Sequence, residues 1–226
     1  MKQYGIWIGV LLGAAFLVWL LHCFVFSSYL ILSSDMEDTL LPGERVIVNK
    51  WSYGLRLPCM SFMGYQRIGE EKIQKGDVVV FNNPLETDKE IDRRSPLIYR
   101  CLAGPGDTIS VDSCRLVVPS RGTSVEVTKA NCTLLCNTLR LHEGRKATVR
   151  HDTLFINNYP VKRCVFYKDY YWMMSDRMPN ITDSHLFGLV PQEHIIGKAS
   201  IVWFSKDPNQ NIFYGYRWKR FFHLIK

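Results

Sequence analysis

An uninterrupted apolar stretch near the amino terminus constrains this chain more than any other feature. Residues 6 to 26 read IWIGVLLGAAFLVWLLHCFVF and contain no Asp, Glu, Lys or Arg. About 20 apolar residues in an α-helix cross a hydrocarbon core of about 30 Å. The stretch therefore predicts a transmembrane anchor helix over residues 6–28, preceded by a short cytoplasmic end of residues 1–5. A cleavable signal peptide is the alternative, but its apolar region is shorter, about 7 to 15 residues, and ends at small residues.

The charge of the chain favours a lipid partner over a nucleic acid. Its 28 Lys and Arg residues exceed its 21 Asp and Glu residues, for a net charge of +7. A positive balance suits an anionic membrane surface, and the basic residues are scattered rather than arranged in a nucleic-acid recognition motif. We therefore expect membrane lipid as a partner and no nucleic acid. The basic and aromatic end YGYRWKRFFHLIK is either an ordinary final element or a contact with that membrane surface.

The remaining chain has the pattern of a mostly β protein. Short β-branched or aromatic runs end at Gly, Pro or Asn, as in GERVIVNKWSYGLRLP, QKGDVVVFNNP, HDTLFINNYPV and HIIGKASIVWF. Sustained helical periodicity is absent from the sequence between them. Cys132 and Cys136 are separated by three residues, unlike a redox or zinc motif, so neither a metal nor a cofactor is expected. Whether the cysteines form disulfides is left open.

Three segments, in this order behind the apolar stretch, carry a family resemblance. They are SSDMEDTLLPGERVIVNKWSYG, then KGDVVVFNNP with LIYRCLAGPGDTI, then YYWMMSDRMPNITDSHLFGLVPQEHIIGKA. They resemble the conserved boxes of the bacterial type I signal peptidases, which remove signal peptides from exported proteins at the outer face of the membrane. The resemblance implies a β core of residues 29–112 and 165–226 with an inserted cap of residues 113–164. It also implies a single-pass protein of the bacterial inner membrane with its ectodomain on the extracytoplasmic side.

Enzymes of that family use a serine nucleophile and a buried lysine base, whose pKa is lowered by desolvation. Matching Met, Thr and Leu of residues 36–40 to the first box places Asp35 at the nucleophile position. Matching the Pro-Gly-Asp turn of residues 105–107 places Tyr99 and Arg100 at the family's Lys-Arg pair. The resemblance therefore implies a pseudoenzyme that lacks the Ser-Lys dyad. We also expect the Tyr99 hydroxyl to donate a hydrogen bond to the Asp35 carboxylate, because this satisfies both groups.

Other positions take their expected roles from the same boxes. Ser33 matches the serine that contributes to the family's oxyanion hole. Asp183 and Ser184 match an Asp-Ser pair whose serine orients the lysine, and Met36 and Arg100 are candidates for the substrate groove.

Two alternatives for the chemistry remain. Ser34 becomes the nucleophile if the match slips by one residue, but this moves Met36 off its match. Asp35 paired with Asp183 or Asp38 makes an aspartic-type site, since paired carboxylates split their pKa values.

Three functions follow from these assignments. The chain is an inactive homologue that binds signal peptides or a partner protein, an active membrane endopeptidase with unusual catalytic residues, or a non-catalytic subunit of an envelope complex. The first is expected, because both reactive groups of the family are replaced.

Overall fold

A computed structural model of the protein describes residues 7–16, 18, 25–56, 65–111, 114–177, 183–211 and 213–225. The strands are β1 (Phe26–Leu30), β2 (Glu44–Asn49), β3 (Leu55–Arg56), β4 (Arg67–Ile68), β5 (Val78–Asn82), β6 (Pro96–Ala103), β7 (Thr108–Val111), β8 (Cys114–Val117), β9 (Ser124–Glu126), β10 (Ala147–Arg150), β11 (Thr153–Ile156), β12 (Tyr159–Val161), β13 (Arg163–Val165), β14 (Tyr170–Met174), β15 (Val190–Pro191), β16 (Ile195–Ser205) and β17 (His223–Leu224). Besides the helical residues 7–16 and 18, the helices are α1 (Cys132–His142) and α2 (Ser184–Phe187), with 3₁₀ turns at Ile91–Arg93, Gln192–His194 and Trp218–Arg220.

One antiparallel sheet of eight strands organises the molecule. Its order is β1-β2-β16-β5-β6-β14-β15, and β17 also pairs with β16. Strand β2 alternates between buried and outward positions, whereas the run VVVFN of β5 is buried throughout. Such a continuous apolar run is what a strand covered on both faces requires. The expected mostly β fold is therefore confirmed.

Strand β14 separates two hydrophobic clusters because its side chains alternate between the two faces of the sheet. Tyr171 and Met173 belong to the first cluster, with the buried residues of β2, β5 and β16. Tyr170 and Trp172 belong to the second cluster, with the buried residues of α1. A register shift lies between Trp172 and Met173 where β14 pairs with β6.

The inserted segment, predicted as a cap of residues 113–164, contains strands β8 to β12, the first residues of β13 and helix α1. Helix α1 was not expected from the sequence. It buries Leu135, Leu139 and His142, which are spaced at i, i+4 and i+7 and form one helical face. This periodicity could have indicated the helix from the sequence, but it is short and polar residues lie between the apolar ones.

The predicted anchor helix of residues 6–28 agrees with the structure in part. Residues 7–16 and 18 are helical, but among the described residues no helix is long and apolar enough to cross a membrane. Residues 1–6, 17 and 19–24 lie outside the described residues, including the predicted cytoplasmic end. The last three residues of the predicted helix instead begin β1, because they pair with Ile47, Val48 and Asn49 of β2.

Candidate functional site

Asp35 and Tyr99, assigned to one site from the sequence, lie in contact. Asp35 is in a series of turns after β1, and Tyr99 is on β6. The Tyr99 Oη atom donates a hydrogen bond to Asp35 Oδ2 at 2.9 Å. The hydrogen bond predicted from the two matched positions is therefore confirmed.

Aromatic packing fixes the ring of Tyr99. The side chain is 3% exposed, and its ring centroid is 6.1 Å from that of Phe81 and 5.9 Å from that of Phe187. Phe81 and Phe187 themselves pack edge to face at 5.8 Å. Pairs of aromatic rings at these separations stabilise one another beyond simple burial. The phenol therefore reaches Asp35 from a crowded, apolar pocket.

Side-chain packing and hydrogen bonds together hold the turns that carry Asp35. The buried side chains of Met36 and Leu40 insert into the first hydrophobic cluster. The Asp35 carbonyl oxygen accepts hydrogen bonds from the Ser175 hydroxyl and from the Arg177 amide, the latter at 3.3 Å. The position of residue 35 is thus set by the segment that follows β14.

Asp183 and Ser184 support this arrangement from helix α2. Asp183 Oδ1 accepts from the His185 amide at 3.0 Å, and its other oxygen accepts from the Ser175 amide at 3.2 Å. The Ser184 hydroxyl accepts from the Met173 amide at 2.8 Å. Both side chains are buried. Asp183 therefore acts on Asp35 through Ser175, and Ser184 ties α2 to β14; the expected role of Ser184 toward the base position stays a prediction.

Arg100 is engaged in a network that links the three family boxes. Its guanidinium binds both carboxylate oxygens of Asp176, at 2.7 and 2.9 Å, and donates to Thr39 Oγ1 and to the Gly76 carbonyl, each at 2.7 Å. The hydrogen bond with Asp176 raises the pKa of Arg100. Burial alone would raise the pKa of Asp176, but the hydrogen bonds from Arg100 and Thr39 outweigh it and lower that pKa. Arg100 is therefore a permanent cation with a structural partner rather than a base.

A groove of about 430 Å³ opens beside Asp35 and Tyr99. Residues 29–33 form one wall and residues 95–99 the other, with Met36 at the base. Ser33 and Leu32 line it and are exposed, Leu32 to 82%. Of the two predicted groove residues, Met36 lines this groove, whereas the guanidinium of Arg100 is directed to Asp176.

Each wall of the groove includes strand residues, namely Tyr29 and Leu30 of β1 on one side and Pro96–Tyr99 of β6 on the other. In the described part of the chain, β1 forms its ladder with β2 and Pro96–Ile98 form theirs with β5, while β14 pairs with β6 from Arg100 onward. The edge of a sheet can accept an extended peptide by adding a strand.

The sequence analysis gave no site role to six contributors: Thr39, Phe81, Ser175, Asp176, Arg177 and Phe187. Thr39 served only as a match in the first box. Their roles depend on contacts between segments far apart in the chain, which periodicity does not reveal.

Comparison with known proteins gives consistent matches over most of the chain. The profile of the family described as Signal peptidase, peptidase S26, matches residues 4–204. Signal peptidase I of Haemophilus influenzae is 28% identical over an alignment covering 92% of this chain and 72% of the relative. Signal peptidase I of Pseudomonas fluorescens is 30% identical, covering 84% of this chain and 69% of the relative. Signal peptidase I P of Bacillus subtilis subsp. natto is 28% identical and covers 89% of each chain.

Proposed function

This chain belongs to the signal peptidase family, peptidase S26, and from that membership we propose that it binds signal peptides of exported proteins without cleaving them. The groove walled by residues 29–33 and 95–99 is the binding site in this proposal. The observation that carries it is the 2.9 Å hydrogen bond from Tyr99 Oη to Asp35 Oδ2 at the positions of the family's reactive pair.

The chemistry of this pair opposes cleavage by the family's mechanism. Acyl transfer needs a nucleophile and a base within reach of it. Asp35 supplies a carboxylate in place of a hydroxyl, and Tyr99 uses its hydroxyl as a donor toward that carboxylate. Arg100, the next residue on β6, holds Asp176 and stays charged. Even if a neighbouring serine served as the nucleophile, neither residue 99 nor residue 100 would supply the base that it needs.

The groove favours an extended, apolar peptide. Leu30, Ile31, Leu32, Leu97 and Ile98 line it, and each wall includes residues from the edge of a strand. A peptide in extended conformation gains main-chain hydrogen bonds from such edges and places alternate side chains in the groove. Signal peptides combine apolar segments with small residues near their ends.

The binding part of the proposal is tested with a fluorescent synthetic signal peptide and the full chain in lipid nanodiscs. We expect saturable binding, measured by fluorescence anisotropy, and weakening of about tenfold in Leu32→Glu, because the charge enters the apolar groove. Ile68→Glu, at a residue that is 62% exposed and outside the groove, is the matched control and should bind like the wild type. Equal binding by both variants, or no binding at all, contradicts the proposal. Capture of a stoichiometric envelope protein without peptide binding favours the subunit function instead.

The catalytic part is tested with a preprotein as substrate. The wild-type chain is expected to give no cleavage product, and product formation would support the active endopeptidase instead. Asp35→Ser combined with Tyr99→Lys restores the family's pair, so slow cleavage is expected from the double variant. Each single variant serves as the matched control and is expected to be inactive, because one reactive group is still missing.

The membrane part of the proposal rests on the N-terminal segment. Residues 7–16 are helical and their apolar side chains are exposed, Leu11 to 68% and Leu12 to 66%. In our proposal the apolar segment before β1, residues 6–25, holds the protein in the bacterial inner membrane in a single pass, with the β domain outside the cytoplasm and in contact with lipid. The full chain should then resist alkaline carbonate extraction, whereas a chain starting at residue 26 should be extracted. Extraction of both chains would contradict the proposal that the N-terminal segment anchors the protein in the membrane.

A further inference from the structure

Nearly all of the net positive charge of the chain lies in the inserted segment, residues 113–164. Its 52 residues contain nine Lys and Arg and three Asp and Glu, a net charge of +6, whereas the other 174 residues contain 19 and 18, a net charge of +1. Within the described residues of this segment, Lys129 pairs with Asp152 at 3.9 Å and no other Lys or Arg forms an ion pair. Unbalanced charge of one sign destabilises a compact structure by self-repulsion, which a bound anion relieves.

A basic concavity of about 580 Å³ lies in this segment, between the end of α1 and the turn that joins β11 to β12. Arg140 and residues 144–148 form one side of it, and Asn157 and Asn158 form the other. Its lining, all of it within the described residues 114–177, contains three basic residues, two side-chain amides and no acidic residue. The volume is within the range of sites for small molecules.

Strand β10 directs polar side chains to the outside of this segment. Ala147 is buried in the second hydrophobic cluster, and the Asn157 amide donates to the Lys146 carbonyl at 2.9 Å, which continues the ladder between β10 and β11. Successive side chains of a strand point to opposite faces, so Lys146 and Thr148 project away from the cluster. Both side chains are exposed, and both residues line the concavity.

The negative groups close to the concavity do not cancel its charge. Glu143 is not part of the lining, and its Oε1 atom accepts from the Tyr167 amide at 2.6 Å and from the Tyr170 hydroxyl at 3.4 Å. The C-terminal end of α1 contributes about half an elementary negative charge, which the three cations of Arg140, Arg145 and Lys146 outweigh. The concavity is therefore an electropositive site.

The donors at this site match a multiply charged oxyanion. A guanidinium presents its N–H groups in a planar fork that fits phosphate oxygens, and a lysine ammonium adds a point charge. A phosphate monoester carries about −1.5 to −2 charges and three strong acceptor oxygens. It therefore offsets more of the positive charge than a single carboxylate can.

We propose that the basic concavity binds a phosphate monoester group, whose oxygens accept from Arg140, Lys146 and the side-chain amides of Asn157 and Asn158. The group belongs either to a soluble molecule or to a lipid headgroup. The concavity shares no residue with the peptide groove at Asp35, and binding there does not depend on the proposed function.

The soluble form is tested by calorimetry with sn-glycerol 3-phosphate and the full chain in phosphatidylcholine nanodiscs. We expect saturable binding, and a dissociation constant at least about tenfold higher in Arg140→Gln with Lys146→Gln, because charge-assisted hydrogen bonds are lost. Arg121→Gln with Lys129→Gln removes the same charge from exposed positions of the same segment outside the concavity. This control should bind within about twofold of the wild type, because solvent and salt screen distant charges.

The lipid form is tested with the same chain in nanodiscs that also contain phosphatidic acid. Hydrogen exchange of residues 140–158 is measured by mass spectrometry in both preparations, with and without glycerol 3-phosphate. Protection by glycerol 3-phosphate identifies a soluble ligand, and protection by phosphatidic acid alone identifies a lipid headgroup. Both results support the site, and the variants are then compared in the preparation that shows binding.

Two further measurements separate this site from unspecific attraction. Asn158→Asp adds a carboxylate at a left-handed position, φ 69°, that aspartate also tolerates, so the turn is kept and binding should weaken at least about tenfold. Succinate, a dianion without a phosphate group, should bind at least about tenfold more weakly than glycerol 3-phosphate. Absence of protection by both phosphate sources, equal weakening in the two double variants, unchanged binding in Asn158→Asp, or equal binding of succinate overturns the proposal.

Discussion

Tyr99 is constrained at both ends of its side chain, by ring packing against Phe81 and Phe187 and by donation of its hydroxyl to Asp35. The two constraints act together, since the packed ring leaves the hydroxyl little freedom to find another acceptor. Asp35 is constrained through its backbone as well, by Ser175 and Arg177. The pair is therefore a structural element of the site in addition to any function it has.

Removal of the Tyr99 hydroxyl tests the energy of this pair. Tyr99→Phe keeps the ring packing and deletes the donor, so we expect a loss of about 1–2 kcal/mol in the free energy of unfolding. Urea denaturation measures the change. Tyr159→Phe, at a side chain that is 75% exposed, should change stability by less than about 0.5 kcal/mol. Equal effects of the two substitutions would show that the hydrogen bond contributes no stability.

The contact between Tyr99 and Asp35 could be predicted from the sequence, because the matched positions indicate which residues share a site. The hydrogen bonds among Arg100, Asp176 and Thr39 could not be predicted in this way. Each of these residues comes from a different box, and the direction of a side chain within a site depends on tertiary packing. The Arg100 guanidinium accordingly lies in that network and not in the groove where it was expected.

Among the elements, β16 has the strictest steric requirement. It pairs with β2, β5 and β17, and a Cβ atom at Gly197 would overlap the Asn49 carbonyl oxygen and lie 3.0 Å from Lys50 Cα. Both obstacles are backbone atoms, which cannot rotate away. The close approach explains why a glycine stands within a central strand, near its start.

Gly197→Ala should therefore destabilise the fold by about 1–3 kcal/mol, because β2 and β16 must separate to accept the methyl group. Gly104→Ala is the control, since its nearest neighbour is 3.6 Å away on the Tyr171 ring, an ordinary contact. Thermal unfolding of the two variants measures the difference. Similar melting temperatures would contradict the steric argument.

Two buried histidines form a contact between α1 and the 3₁₀ turn before β16. His142 and His194 are buried with their ring centroids 5.5 Å apart. Burial and the nearby Lys168 and Arg94 lower the pKa of His142 to about 4. Burial also lowers the pKa of His194 to about 3, although its bond to the Asn82 carbonyl acts in the opposite direction.

These shifts predict a loss of stability in acid. The unfolded chain protonates both imidazoles near pH 6.5, whereas the folded chain does so only near pH 4 and below. The free energy of unfolding is therefore at its full value above pH 6.5 and declines as the pH falls, by on the order of 3 kcal/mol per histidine at pH 4. His142→Gln should flatten the dependence of unfolding free energy on pH, and the exposed His223→Gln should not. Parallel curves for all three proteins would contradict the assignment.

The sequence predicted elements well where their pattern was regular. The alternating residues of β2 and the apolar run of β5 identified these strands directly. Helix α1 was missed because its buried face extends over few turns, and the predicted anchor was too long at its end because apolar residues continue into β1. A strand and a helix of similar hydropathy cannot be separated by composition alone.

At the scale of the whole molecule, the C-terminal segment is joined to the first box. Arg220 binds both oxygens of Glu44 at 2.8 Å and donates to the Thr39 carbonyl at 2.8 Å. Glu44 is fully buried and also accepts from the Ser205 hydroxyl. Burial alone would raise the pKa of Glu44, but these hydrogen bonds and the Leu41 amide outweigh it and lower that pKa. The last residues therefore support the turns that carry Asp35.

Arg220→Met should lower the free energy of unfolding by about 3 kcal/mol, because it leaves the Glu44 carboxylate buried without its cation. The exposed Lys219→Met preserves the pair and should change stability by less than about 0.5 kcal/mol. Chemical denaturation measures both. Adding Glu44→Gln to Arg220→Met should recover part of the lost free energy of unfolding. If the double variant recovers none of it, the unpaired Glu44 carboxylate is not the cause of the destabilisation.

The hydrogen bond between Tyr99 and Asp35 also restricts the mutational paths open to this chain. Tyr99→Lys alone would place an ammonium beside the Asp35 carboxylate, and the attraction between them would keep the lysine protonated and useless as a base. Asp35→Ser alone would place a hydroxyl beside a phenol, which keeps its own proton at neutral pH and therefore cannot accept the serine proton. Under the proposed function, a return to the family's Ser-Lys chemistry therefore requires both substitutions together, because neither single variant has a complete reactive pair.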